Sequence, residues 1–268
     1  MSPTAGRGGN RCAGISHSNA SSAVRENIAT DEKTAGMNRI LRLMMKRRNF
    51  FRIGIASVAA VELSLINQHA FGQRPILVEG DTYLRLQTPQ PRLVPNKVDV
   101  VEFFSYACPH CSAFEPTLEG WLKKIPQDVT FRRIPVPFLA NAANFQKTYF
   151  ALEQMGLAEK MQLKVFAAVH AERRRLDKPE DIGDLVGRNG SDAAKFLDHF
   201  RSFSVATALN RANKMTIDYD ISKGPGVPAL VIDGRYLTSP AQAGNGQQAL
   251  AVVDALIELA RKSLHQHK

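Results

Sequence analysis

Two thiols three positions apart, in Cys108-Pro109-His110-Cys111, carry the clearest chemistry in this chain. Positions i and i+3 lie on one face of a helix, where two sulfurs can close a short disulfide. Proline is tolerated in a first helical turn, where its missing N–H would have no intrahelical acceptor, so Pro109 puts Cys108 at or next to the helix N-cap. A thiolate there faces the free first-turn N–H groups and the positive end of the helix dipole, and its pKa falls. His110, as imidazolium, favours the thiolate further. Cys108, at the mouth of the turn, is the attacking sulfur and Cys111, one turn in, the resolving one. A stabilised thiolate makes the disulfide easy to reduce, which is the property of a disulfide donor.

Two plainer roles compete. A structural zinc site needs a second pair of Cys or His at matching spacing, and the only other cysteine is Cys12, far away. A structural disulfide enclosing two residues constrains the unfolded chain very little.

The elements that must position the pair can be read on either side of it. Val98 to Phe104 is a run of branched and aromatic residues expected to form a buried central strand. After the turn 105–107, Phe114, Leu118, Trp121 and Leu122 mark a helix ending near Lys124-Ile125-Pro126, with a kink expected at Glu115-Pro116. Residues 129–136 alternate as a further strand. Strand, helix and strand make a βαβ unit with parallel neighbours, and the cysteines sit at the carboxyl end of its first strand, where α/β sheets place their sites.

The string Glu102-Phe103-Phe104-Ser105-Tyr106-Ala107-Cys108-Pro109-His110-Cys111, the helix after it and the later Gly226-Val227-Pro228 resemble the DsbA family, the thioredoxin-fold thiol oxidases of the bacterial periplasm, from roughly residue 78 to the C-terminus. The resemblance implies an α/β thioredoxin fold with an inserted all-helical domain: residues 73–140 and 204–268 form the two parts of the thioredoxin fold and 141–203 the insertion. A lowered cysteine pKa is a property of that family too, so its direction is shared with the resemblance. Val227-Pro228 matches the family's cis-proline loop, which lies against the active turn and offers backbone to an extended substrate strand; from sequence alone a trans proline opening a strand would be expected. Glu102, an acid in an apolar strand, would ordinarily mark a register break or an edge. Buried beneath the cysteines, as the resemblance implies, it gains a raised pKa by desolvation and can relay a proton to or from Cys111. Phe103, Phe104, Tyr106 and Phe138 are core residues by default, with apolar surface near the site as the functional alternative.

The net charge of +10 is unevenly spread. Residues 1–72 hold 10 Lys/Arg against 4 acids, leaving 25 basic and 21 acidic residues in the remainder, so the basicity gives no case for a nucleic-acid partner. Lys46-Arg47-Arg48-Asn49-Phe50-Phe51-Arg52, the apolar stretch 53–66 and Ala70-Phe71-Gly72 read as a signal peptide over 37–72, cleaved near Gly72 and Gln73, of general secretory or twin-arginine type. An uncleaved anchor is the lesser alternative, since the stretch is short for a span and contains Glu62. Residues 1–36 are polar and aperiodic, a disordered or untranslated extension, with Met37, Met44 and Met45 as alternative starts. Export to the periplasm leaves Cys108 and Cys111 as the only thiols in an oxidising compartment. No G-x-G-x-x-G or P-loop pattern is present, so no cofactor or metal is expected.

Elsewhere, Tyr83-Leu84-Arg85-Leu86 reads as a short edge strand among prolines. Residues 144–203 read as helices, with Phe145, Tyr149, Leu152 and Met155 on one stripe, Met161, Val165, Phe166 and Val169 on a second, and Ser191-Asp192 opening the last. Arg173-Arg174-Arg175 is a solvated helix end. Residues 203–215 return to the sheet, 229–232 and 235–237 form a hairpin about Asp233-Gly234, 240–246 is loop, and 247–264 is an amphipathic helix. His265-Gln266-His267 is read as a mobile tail.

The expected reaction begins with attack of a reduced, unfolded exported client on Cys108 of the disulfide, followed by resolution by a second client thiolate. Reoxidation, by the resemblance, falls to the quinone-linked membrane protein DsbB. No dimerisation segment is evident, so a monomer is expected. A reductase or isomerase on the same fold and a non-catalytic peptide-binding chaperone are the alternatives.

Overall fold

The computed structural model describes residues 77–266, all within one unit spanning Gly72–Lys268. The leader readings, Cys12 and the tail residue His267 lie outside the described residues. Among the described residues no helix is long and apolar enough to cross a membrane.

Strand β2 (Val98–Phe104) is buried at every position and is flanked on both sides in a five-stranded sheet. Its continuous apolar run suits a strand covered on both faces. It pairs in parallel with β3 (Val129–Pro135) and antiparallel with β4 (Ala229–Ile232), which pairs antiparallel with β5 (Tyr236–Thr238). The edge strand β1 (Leu84–Arg85) pairs antiparallel with β5, as the proline-flanked reading of that stretch anticipated. The β4–β5 turn places Asp233 and Gly234 both at positive φ, the signature of a type I′ hairpin. A Cβ on Gly234 would collide with the backbone carbonyl of Gln90, so glycine is required there for space as well as for φ.

Helix α1 (Pro109–Leu122) links β2 to β3 and packs with the long C-terminal helix on one sheet face, where Val98, Val100, Leu230 and Ile232 meet Phe114, Leu118, Val253 and Ile257. The opposite face, carrying Val101, Phe103 and Val231, opens into a core shared with the helices that follow β3. These are α2 (Ala142–Gln154), α3 (Ala158–Phe166) with a π-helical turn Ala167–Ala171, α4 (Pro179–Arg188), α5 (Ala193–Phe200) and α6 (Phe203–Asp218). The apolar stripes read from the sequence supply that core: Phe145, Tyr149, Leu152, Met161, Val165 and Phe166 are all buried in it. A single apolar core therefore runs from the sheet into the helical block, so sheet and helices are coupled through packing.

Several boundaries differ from the sequence reading. Helix α1 ends at Leu122, before the expected Lys124, and spans Pro116, whose missing N–H leaves the Ser112 carbonyl without its i+4 donor. Residues 240–246, read as loop, contain the short helix α7 (Pro240–Ala243): Ser239 caps it by accepting from the Gln242 N–H, and Pro240 occupies a first-turn position. The expected strand 235–237 is shifted by one residue, and the C-terminal helix α8 spans Gly246–Gln266.

Candidate active site

Cys108 is the N-cap of α1, extended at φ −88° and ψ 115°, with Pro109 directly after it in the first turn. Its Sγ accepts a hydrogen bond from the Cys111 N–H at 3.3 Å. On its other side Sγ lies 3.3 Å from the carbonyl oxygen of Val227, to which it donates when it is protonated. The Val227–Pro228 peptide is cis, as the resemblance implied and against the expectation from sequence alone. Four of the residues singled out, Cys108, Pro109, Cys111 and Val227, thus meet at one point, although 119 positions separate Cys108 from Val227. His110 is exposed on the first turn of α1.

Both cysteines are free thiols in environments that push them apart. Cys108 is lowered to about 6 from an ordinary value of 9.0. The largest cause is the hydrogen bond from the Cys111 thiol; burial opposes it, and the backbone amides of Cys111 and His110 and the charge of His110 add to it. Cys111 is completely buried and pushed far above the ordinary range, first by burial, then by its hydrogen bond to Cys108 and by the charges of Cys108 and Glu102. One sulfur is held as thiolate at neutral pH and the other as thiol. That polarisation is what a dithiol needs if one member is to attack and leave and the other is to stay protonated.

Glu102 is neither a register break nor an edge residue: it is fully buried on the central strand. Burial raises it to about 8 from 4.5, with Arg133 opposing and Glu115 reinforcing the rise. Its parity with Val98 and Val100 places it on the sheet face that α1 covers, beneath the helix that carries Cys111. Arg133 Nε donates to its Oε2 at 3.0 Å, while Oε1 is buried with no hydrogen-bond partner among the described residues. An unpartnered buried oxygen disfavours the carboxylate and favours the carboxylic acid.

Residues that the sequence reading missed complete the surroundings. Arg133 is 2% exposed, the largest fully buried side chain of the fold, and reaches Glu115 on α1 at 2.6 Å as well as Glu159 at 2.6 Å. Burial opposes its charge, but Glu102, Glu115 and Glu159 outweigh burial and hold it protonated. Glu115, read only as half of a kink dipeptide, is 1% exposed and raised by burial. One signal pointed toward Arg133: a carboxylate inside a central strand requires a counter-charge, and the adjacent parallel strand carries two arginines in a row. Register decides between them, since Glu102 stands opposite Arg133 and Val101 opposite Arg132.

The aromatic residues weighed as apolar surface sort cleanly. Phe103, Phe104 and Tyr106 are fully buried core, whereas Phe138 is 41% exposed just past β3. Among the described residues no group of three or more His, Cys, Asp or Glu is arranged to hold a metal ion.

Comparison with known proteins agrees with this geometry. The profile of the DSBA-like thioredoxin domain matches residues 99–258. The chain is 41% identical over 181 residues to the thiol:disulfide interchange protein DsbA of Bordetella parapertussis, covering 67% of this chain and 85% of that protein. It is 35% identical over 209 residues to DsbA of Azotobacter vinelandii, covering 78% of this chain and 96% of that one. Its fold is similar to the crystal structure of Pseudomonas aeruginosa DsbA, with a TM-score of 0.66 at 35% identity over 70% of this chain and 96% of that chain.

Proposed function

The chain belongs to the DsbA family and is a protein-disulfide oxidoreductase, and from that premise we propose how its own residues carry the reaction. In the oxidised enzyme a client thiolate attacks Sγ of Cys108. The Cys108–Cys111 bond breaks, a mixed disulfide forms, and Cys111 leaves as a thiolate that must take up a proton. A second client thiolate then attacks the client sulfur, expels Cys108 as thiolate and leaves the client oxidised by two electrons. The observation that carries this reading is the N-cap geometry of Cys108, with Sγ 3.3 Å from the Cys111 amide and a pKa lowered to about 6. A sulfur so stabilised is a good leaving group, and it draws the equilibrium toward the reduced enzyme.

Glu102 serves as the proton store for Cys111. At about 8 it carries a proton at neutral pH, and once that proton is given up its charge raises the affinity of Cys111 for it. Pro109 and His110 shape and charge the first turn. Val227 and Pro228 form the wall where an extended client lies: the Val227 carbonyl that now accepts from Cys108 is placed to take a backbone N–H of the client instead. The segments 73–140 and 204–268 are the thioredoxin fold and 141–203 its helical insertion. Clients are reduced exported proteins met by a monomeric enzyme in the periplasm, a location supported by the signal-like leader and by the absence of other thiols beyond it. A DsbB-like membrane quinone reductase restores the disulfide.

Titration of the Cys108 thiolate by ultraviolet absorbance, together with the redox equilibrium against glutathione, tests the reading. A midpoint near 6 and a pair readily reduced by glutathione support a disulfide donor. A midpoint near 9 and a disulfide that resists reduction would move the assignment to a reductase or a binding module.

A further inference from the structure

Tyr106, two residues before Cys108, is held from outside its own segment at two points. Its phenol donates to Oε1 of Gln162 at 2.7 Å, and its carbonyl oxygen lies 2.8 Å from Nε2 of His170. Gln162 belongs to α3 and His170 to the π-helical turn that continues it, so both grips come from the helical block. A carbonyl only accepts, so the His170 ring carries its proton on Nε2 in this contact. The ring is itself oriented by Phe166, with centroids 6.2 Å apart and planes inclined by 31°. Single π-turns inside helices occur often where a side chain must be aimed at a functional site.

Within the turn the Cys108 N–H donates to the Ser105 carbonyl at 3.0 Å and the Ala107 N–H to Ser105 Oγ at 3.1 Å. Those bonds shape the turn but do not tie it to the rest of the molecule. The bond from His170 does, and it acts on the backbone of the residue whose chain leads directly into the N-cap. Removing its donor leaves a carbonyl without its partner, which favours movement of the turn toward water. The Cys111 amide donates to Cys108 Sγ at 3.3 Å, and hydrogen bonds weaken steeply as their angle degrades, so a shift of the turn weakens this one.

We propose that His170 is a positioning residue of the redox reaction: by donating from Nε2 to the Tyr106 carbonyl, it locks the turn to the helical block and keeps Cys108 Sγ over the first-turn amide of Cys111. The helical block is thereby a determinant of the oxidising power of the pair, in addition to any surface it offers to clients. The inference rests on the redox reading above.

The test compares His170→Phe, which keeps a ring against Phe166 but has no donor, with His170→Gln, which restores a neutral N–H donor of similar reach. Each is measured for the Cys108 thiolate titration, the glutathione equilibrium and the thermal midpoint. The expected result for His170→Phe is a titration midpoint raised by about one unit and a glutathione equilibrium constant lowered about tenfold, since one unit corresponds to a factor of ten. His170→Gln is expected to stay within about threefold of the parent on the same scale. A His170→Phe protein that melts earlier but titrates and equilibrates like the parent overturns the inference. So does a His170→Gln protein that loses as much as His170→Phe, because the ring or its charge would then matter and the hydrogen bond would not. The parent titration reports on the redox reading alone, so failure of that reading is told apart from failure of the role given to His170.

Discussion

Arg133 Nε lies 3.0 Å from Oε2 of Glu102, joining two completely buried side chains across the parallel register of β2 and β3. The same guanidinium reaches Glu115 at 2.6 Å, so one buried cation serves two buried carboxyls beneath the cysteines. Breaking a buried ion pair by removing one partner costs about 3–5 kcal/mol, because the other charge is left uncompensated. Arg133→Met is accordingly expected to lose about 3–5 kcal/mol in urea unfolding at neutral pH. A loss under about 1 kcal/mol would mean that both carboxyls are protonated in the parent and that the arginine is not needed to neutralise them.

Glu102→Gln keeps the shape and the contact with Arg133 but removes the transferable proton. Acid–base assistance by a positioned side chain contributes about 10²–10⁴-fold, so reduction of the disulfide by a peptide dithiol is expected to slow by at least about tenfold. The dependence of that rate on a group near 8 should vanish with it. A mutant with the parental pH–rate profile would remove Glu102 from the proton path.

Stability of the reduced form should depend on pH through Cys108. Its folded value is about 6 against 9.0 for an unperturbed thiol, so between these values the unfolded chain binds more protons and stability rises with pH. This contribution is complete above about 9 and is lost as pH falls through about 6. The oxidised form has no thiol to titrate. Denaturant unfolding of both forms from pH 5 to 8 is therefore expected to show the reduced form gaining on the oxidised one as pH rises; a constant difference would contradict the lowered pKa. Glu102 acts in the opposite direction in both forms: raised from 4.5 to about 8, it contributes stability below 4.5 that is lost as pH rises through about 8.

The two sulfurs are expected to fail differently. Cys108→Ser removes the attacked sulfur and should abolish disulfide transfer to a reduced peptide. Cys111→Ser keeps the N-cap nucleophile but removes its resolving partner; offered a peptide whose cysteine is already disulfide-bonded to a small thiol, Cys108 should displace that thiol and accumulate a mixed disulfide with the peptide that survives non-reducing electrophoresis. Equal accumulation of that mixed disulfide by the two variants would show that the roles are not divided as the burial of Cys111 implies.

The sequence by itself determined what is local. Cys108 followed by Pro109 is an N-cap and first-turn signal within two residues; the apolar run Val98–Phe104 needs no partner to read as a buried strand; Asp233-Gly234 specifies its hairpin by the φ values it tolerates. These properties arise from interactions between near neighbours, and so a one-dimensional reading reaches them. The same local chemistry stands at Ser239-Pro240, where the loop expected for 240–246 gives way to a short capped helix.

Tertiary structure alone decided which distant groups share the site. Arg133 finds Glu102 across 31 positions, Tyr106 finds Gln162 across 56 and His170 across 64, and Cys108 finds Val227 across 119. Nothing in the residues around Gln162 or His170 distinguishes them from ordinary helix positions, and nothing local separates Arg133 from Arg132. Their roles come from register and packing: the parallel alignment that sets Arg133 rather than Arg132 against Glu102, and the shared core that brings α3 and its π-turn against the cysteine turn. The dithiol is written in the chain as a motif, but the electrostatic environment that polarises it exists only once the sheet and the helical block have closed around it.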